Sequence, residues 1–126
     1  MKKFITIIAL VFTAITYAQG QSFLGPENFE RETSRGIIVV EFWAGWNDAN
    51  SVTWLSNLKE CEVYRVDIGA HIDLQTEYEI TAIPTVIIFN NGNVEETFKA
   101  NIMFQLEAEK KDVQSKVDEI ILNNFN

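Results

Sequence analysis

The chain has 126 residues with 18 acidic and 10 basic side chains, a net charge of −8, 47% apolar residues, one cysteine and one histidine. A surface of that sign repels nucleic acid and anionic lipid, and a single cysteine excludes an internal disulfide. The length suits one domain with a sizeable core, and no internal repeat or low-complexity tract divides it.

Met1-Lys2-Lys3 is a basic start, Phe4 to Ile15 is an apolar run interrupted by threonines, and Thr16-Tyr17-Ala18 ends in the position a signal peptidase reads. The run is shorter than the roughly 20 apolar residues of a spanning helix. The expectation is a secretory leader over residues 1–18, cut after Ala18, and a mature domain over residues 19–126 in a periplasm or outside the cell. No cysteine follows the cut for a lipid anchor, so no membrane attachment is expected after cleavage.

Gln19 to Gly25 is short and polar, with only Phe23 and Leu24 to bury. Pro26 suits a helix start, and Glu27 to Ser34 reads as a short acidic helix anchored by Phe29. Gly36 ends the turn before Ile37-Ile38-Val39-Val40, a β-branched run with an aromatic pair behind it, as a strand covered on both faces requires. A helix over Asn50–Lys59 should follow, capped by Asn47 or Asp48, with Val52, Leu55 and Leu58 along one face. Val63 to Ile68 reads as a second strand, and Ala70 to Glu79 as a helix with Ile72, Leu74 and Tyr78 inward. Val86 to Phe89 is a strand, Asn90-Asn91-Gly92 a hairpin turn, and Asn93 to Lys99 the returning strand. In Ala100–Glu109, Ile102, Phe104 and Leu106 alternate with Met103 and Gln105, which fits an added edge strand or a loop packed over the hairpin. From Lys110 the period becomes helical, with Val113, Val117, Ile120 and Ile121 on one face.

The run Val40-Glu41-Phe42-Trp43-Ala44-Gly45-Trp46 resembles the strand by which thioredoxin-family proteins deliver a Trp-Cys-x-x-Cys motif. Val66-Asp67-Ile68, the Ile83-Pro84-Thr85 step and the Asn91-Gly92 hairpin follow in the family's order and at its spacing, so the resemblance covers about Phe29 to Leu122. It implies a thioredoxin fold: an α/β domain with a central mixed sheet flanked by helices, its first edge strand short or missing here. It also implies that Asn47 and Asn50 occupy both cysteine positions. Thiol–disulfide exchange needs an attacking thiolate and a resolving thiol. An amide supplies neither, so cysteine-pair chemistry is not expected.

Two constellations remain. Glu41 stands where the family carries a buried carboxylate and Arg65 where it carries a lysine; a buried carboxylate needs a partner, so an ion pair is expected. The resemblance also implies that Ile83 precedes a cis Pro84 beside Trp46 and Asn47, where redox-active relatives hold an extended client by its backbone. That mode needs no sulfur. The expected function is therefore an exported, redox-inactive module that binds an as yet unspecified protein or peptide. The alternative is a thiol–disulfide oxidoreductase working through Cys61 or a partner's cysteine. Cys61 follows the expected Asn50–Lys59 helix rather than preceding a helix, so nothing lowers its thiol pKa. His71 has no nucleophile or ligand set at recognisable spacing, and neither a metal nor a cofactor is expected.

Overall fold

The computed structural model describes residues 22–126; the expected leader, Met1–Ala18, lies outside the described residues. Five strands form one sheet in the order β1-β3-β2-β4-β5: β1 is Ser22–Phe23, β2 Ile37–Trp43, β3 Glu62–Asp67, β4 Thr85–Asn90 and β5 Asn93–Lys99. β1, β3 and β2 run parallel, while β4 lies antiparallel to both β2 and β5. Among the described residues the first edge strand is short: Ser22 and Phe23 pair with β3, and the Leu24 N–H adds a bond to the Arg65 carbonyl at 2.9 Å before Pro26 starts the helix.

The alternation of side chains along β2 builds two cores. Ile38, Val40 and Phe42 enter one, against Phe29 of helix α1 (Pro26–Thr33) and Leu74 of helix α2 (Ile72–Glu77). Val39 enters the other, against Val113, Val117 and Ile120 of helix α3 (Lys110–Asn124). β4 repeats the scheme, with Ile87 and Phe89 on the first side and Val86 and Ile88 on the second. Phe29, Tyr78 and Phe89 meet at ring separations of 5.2–5.7 Å. Each buried large apolar side chain contributes about 1.5–3 kcal/mol relative to exposure. At the β4–β5 turn Asn91 and Gly92 both have positive φ, 51° and 89°, as a hairpin whose twist matches its strands requires.

The expected helix over Asn50–Lys59 does not form. Two 3₁₀ segments, Gly45–Asn50 and Leu55–Asn57, stand there, separated by extended backbone at Ser51. Val52, Leu55 and Leu58 are still buried, because a spacing of three residues matches a 3₁₀ turn as well as an α-helical face. The Val52 N–H donates to Glu41 Oε2 at 3.0 Å, which takes that amide out of any helical ladder. Neither expected cap acts as one: Asp48 Oδ1 accepts from Trp43 Nε1 at 3.0 Å, and the Asn47 side chain is engaged elsewhere. Helix α2 is shorter than Ala70–Glu79, and Ile72, expected inward, is 67% exposed at its first position. Of the two readings of Ala100–Glu109 the loop holds, with a lone antiparallel bridge between Ala100 and Leu106. It packs against the Gly45–Asn50 segment rather than over the hairpin.

Candidate functional site

β2 ends at Trp43, and the 3₁₀ segment that follows turns Asn47 inward to 7% exposure while Trp46 stays 68% exposed. The Asn47 amide joins three stretches of chain. Its Nδ2 donates to the Ile83 carbonyl at 3.1 Å and to the Phe104 carbonyl at 3.0 Å, and its Oδ1 accepts from Asn50 Nδ2 at 2.8 Å. The last bond orients the amide, since an asparagine turned the other way would set its oxygen against two carbonyl oxygens. Pro84 is buried and follows Ile83 through a cis peptide bond.

The Phe104 carbonyl is delivered by a turn closed on Asn101. The Asn101 Oδ1 accepts from the N–H groups of Met103 (2.8 Å) and Gln105 (3.2 Å), and the Phe104 N–H donates to the Asn101 carbonyl at 2.9 Å. Phe104 takes φ 60°, left-handed backbone that costs an L-residue about 1–2 kcal/mol. Two contacts hold it there: the bond from Asn47, and an edge-to-face packing on Trp46 with ring centroids 5.3 Å apart. Beside them lies a hollow of about 570 Å³ lined by Trp46, Ile68, Ile72, Ile80, Ile83 and Phe104 among others, none of the lining side chains charged. The exposed Ile72 is one of its walls. Among the described residues the Ile83 N–H has no hydrogen-bond acceptor, while the Ile83 carbonyl is held by Asn47.

Glu41 and Arg65 lie behind this segment, opposite each other on β2 and β3. Glu41 is fully buried; its Oε1 accepts from Arg65 Nη2 at 2.9 Å and Nε at 3.1 Å, and its Oε2 accepts from Val52. Burial raises the Glu41 pKa above its ordinary value, and the Val52 amide and Arg65 pull it down without cancelling the rise. The guanidinium also lies 5.5 Å from the Trp43 ring and 5.9 Å from that of Phe23, which orders it at the edge of β3. The pair therefore supports the segment above it.

Cys61 is half-buried against the second core, just before β3, and burial followed by the charges of Asp118 and Glu60 pushes its thiol up to about 11. It takes no part in the hollow. His71 is half-buried immediately before α2, and among the described residues no three His, Cys, Asp or Glu side chains form a metal-binding group. Trp46 and Ile83 line the hollow; Asn47 and Pro84 are not among its lining residues, Asn47 being joined to it through the Ile83 carbonyl and Pro84 being buried next to Ile83, and Glu41–Arg65 forms a separate buried pair. Sequence reasoning missed Phe104, Asn101 and Ile72. The run Ile102-Met103-Phe104 offered a signal: three successive large apolar residues in a polar, acidic stretch suit a surface that meets something.

The family model for thioredoxin matches residues 21–118. Thioredoxin of Chlamydia pneumoniae is 32% identical over 76 residues, which cover 56% of this chain and 74% of that protein. Thioredoxin of Mycoplasma genitalium is 28% identical over 61 residues, 44% of this chain; the match spans 60% of the relative's own length. A solved structure of an asparagine-to-glutamine mutant of thioredoxin from Halobacterium salinarum superposes with a TM-score of 0.63 over 81% of this chain and 95% of that one, at 14% identity, a likeness of fold alone. The five-stranded mixed sheet, the strand ending at Trp43, the Ile-Pro-Thr step and the extent of the family match agree, and the chain belongs to the thioredoxin family.

Proposed function

We propose that this protein is an exported thioredoxin-like domain that performs no cysteine-pair chemistry and holds polypeptide in the hollow beside Trp46 and Ile83. The observation that carries the reading is the engagement of Asn47. The residue set by resemblance at the attacking position is buried, cannot ionise, and uses its amide to tie the Ile83 and Phe104 carbonyls together. The hollow has an uncharged lining, apolar at Trp46, Ile72, Ile83 and Phe104 and polar at Gln75 and Thr81, and among the described residues the Ile83 N–H lacks an acceptor, which suits a bound segment held by shape and main chain. The leader pattern in residues 1–18 supports export. The raised thiol pKa of Cys61 leaves little thiolate at neutral pH and weighs against chemistry through that residue.

Two measurements on the mature chain test this. In an insulin-reduction assay with dithiothreitol, the rate should equal the no-protein blank; turnover abolished by Cys61→Ser overturns the redox-inactive reading. Titration with reduced, alkylated insulin B chain should shift Trp46 emission saturably, and Trp46→Phe should remove the shift. A chain that binds neither this nor any other unfolded polypeptide at millimolar concentration is not a groove-binding module.

A further inference from the structure

Beside the hollow the chain carries a protrusion of the same apolar character. The Asn101–Phe104 turn, closed by the Phe104 N–H on the Asn101 carbonyl at 2.9 Å, sets Ile102 and Met103 at its two tip positions. Their side chains stand in solvent, 93% and 67% exposed, while Phe104, at the foot of the same turn and 46% exposed, forms a wall of the hollow and rests on Trp46. With Ile72 on the far wall, five large apolar side chains make one surface around a hollow whose lining side chains are all uncharged. At the exposures observed they offer on the order of 500 Å² of apolar area, taking about 150–250 Å² for an aromatic side chain and about 100 Å² for Ile or Met. An exposed apolar surface of that size marks a place where something docks.

We propose that two copies of this chain associate through this face, the Ile102–Met103 tip of each seated in the hollow of the other. This goes beyond the client-binding reading and does not rest on it. The face is self-complementary: tip and hollow lie side by side and share the Phe104 wall, so a two-fold axis at that wall exchanges them, as an isologous contact requires. The area agrees, since two such faces reach the roughly 1,000 Å² at which specific contacts begin, and it sets the dimer at the weak, reversible end. Charge agrees as well. Two chains of net charge −8 repel each other, and they meet best where neither lines the contact with a charged group. A seated tip fills the space beside Ile83 that a client would take, so association closes the hollow at high protein concentration and a client reopens it by competition.

Sedimentation velocity of the mature chain from about 1 μM to about 1 mM tests this, and the mass should rise from monomer to dimer with a midpoint on the order of 100 μM. Ile102→Ser with Met103→Ser should weaken association at least about tenfold. Both side chains are exposed, so the thermal melt of that variant should match the parent. Leu122→Ser with Phe125→Ser removes two exposed apolar side chains at the end of α3 and should leave association unchanged. Raising salt from about 0.05 M to about 0.5 M should strengthen the dimer, because screening relieves the repulsion between two acidic copies. A chain that stays monomeric throughout, a dimer that keeps its affinity in the turn variant or loses it in the α3 variant instead, or one that weakens as salt rises, overturns the proposal. Reduced, alkylated insulin B chain should dissociate the dimer, and B chain that binds while the dimer persists overturns the seating of the tip in the hollow. Failure of the B chain to bind the dilute monomer counts against the client reading alone, since the sedimentation result stands without it.

Discussion

Replacing Asn47 by alanine removes three hydrogen bonds at once: Nδ2 to the Ile83 and Phe104 carbonyls, and Oδ1 from Asn50. The Phe104 carbonyl and the Asn50 amide are only part-buried and can turn to water, whereas the Ile83 carbonyl lies inside and is left unsatisfied. Such an orphaned group costs about 1–3 kcal/mol, and an ordinary hydrogen bond is worth about 0.5–1.5 kcal/mol, so Asn47→Ala should destabilise by about 2–4 kcal/mol. Asn47→Asp should be worse at pH 7, because a carboxylate oxygen then faces the two carbonyls. That environment raises the folded pKa of the new carboxyl above its unfolded value near 3.9. Its deficit is therefore smallest below that value and grows as pH rises through the folded pKa. Urea unfolding at pH 7 and pH 4 reads both effects. With an m-value of about 1–3 kcal/mol/M, the alanine variant should lose on the order of 1–2 M in midpoint. Limited proteolysis should find new cleavage between Asn101 and Leu106, since Asn47 holds that turn. An alanine variant within about 0.5 kcal/mol of the parent with unchanged cleavage, or an aspartate variant more stable than alanine at pH 7, would refute the reasoning.

Arg65→Met should cost about 3–5 kcal/mol at neutral pH by leaving Glu41 buried and uncompensated, and adding Glu41→Gln should recover part of the loss; a double-mutant cycle without coupling removes this reading. Because the folded Glu41 pKa is raised, its contribution is best below the unfolded value and worsens as pH climbs through the folded one. The parent should therefore lose stability relative to Glu41→Gln as pH rises above 4.5, and a parallel pair of stability curves contradicts this. Cys61, with its thiol near 11, should react with a small aromatic disulfide far more slowly at pH 7 than after denaturation; equal rates would place the thiol outside the core. Phe104→Gly should be more stable than Phe104→Ala by roughly 1 kcal/mol, since only glycine adopts φ 60° freely, and the reverse order in thermal melts would argue against the left-handed turn.

β2, the β4–β5 hairpin and α3 were legible because each carries an unbroken hydrophobic period bounded by strong turn residues. Residues 50–59 were not, because Val52, Leu55 and Leu58 satisfy a 3₁₀ turn and an α-helix alike, and a long-range bond from Val52 to Glu41 decides between them. Ile72 misled for a similar reason: α2 is so short that its first residue has no preceding turn to press it inward. At the site, Trp46, Asn47, Ile83 and Pro84 were reached through the family's motif order, and so were the positions of Glu41 and Arg65, which the cost of burying a carboxylate then made an expected ion pair. The Phe104 wall could not be reached that way. It depends on Asn101 bonding its own neighbours' backbone, and on Asn47 meeting a carbonyl 57 positions along the chain.

The bond between Asn50 and Asn47 is a hydrogen bond where a disulfide-forming pair would respond to its surroundings. For a dithiol, a change of about 30 mV in the ambient potential alters the ratio of its two forms tenfold, and its loop can alter with it. An amide pair exchanges no electrons. The Gly45–Asn50 segment, and the wall it fastens through Phe104, are therefore held by bonds that contain no thiol to oxidise or reduce. On the redox-inactive reading proposed above, this face stays the same whatever the glutathione poise of the surrounding compartment.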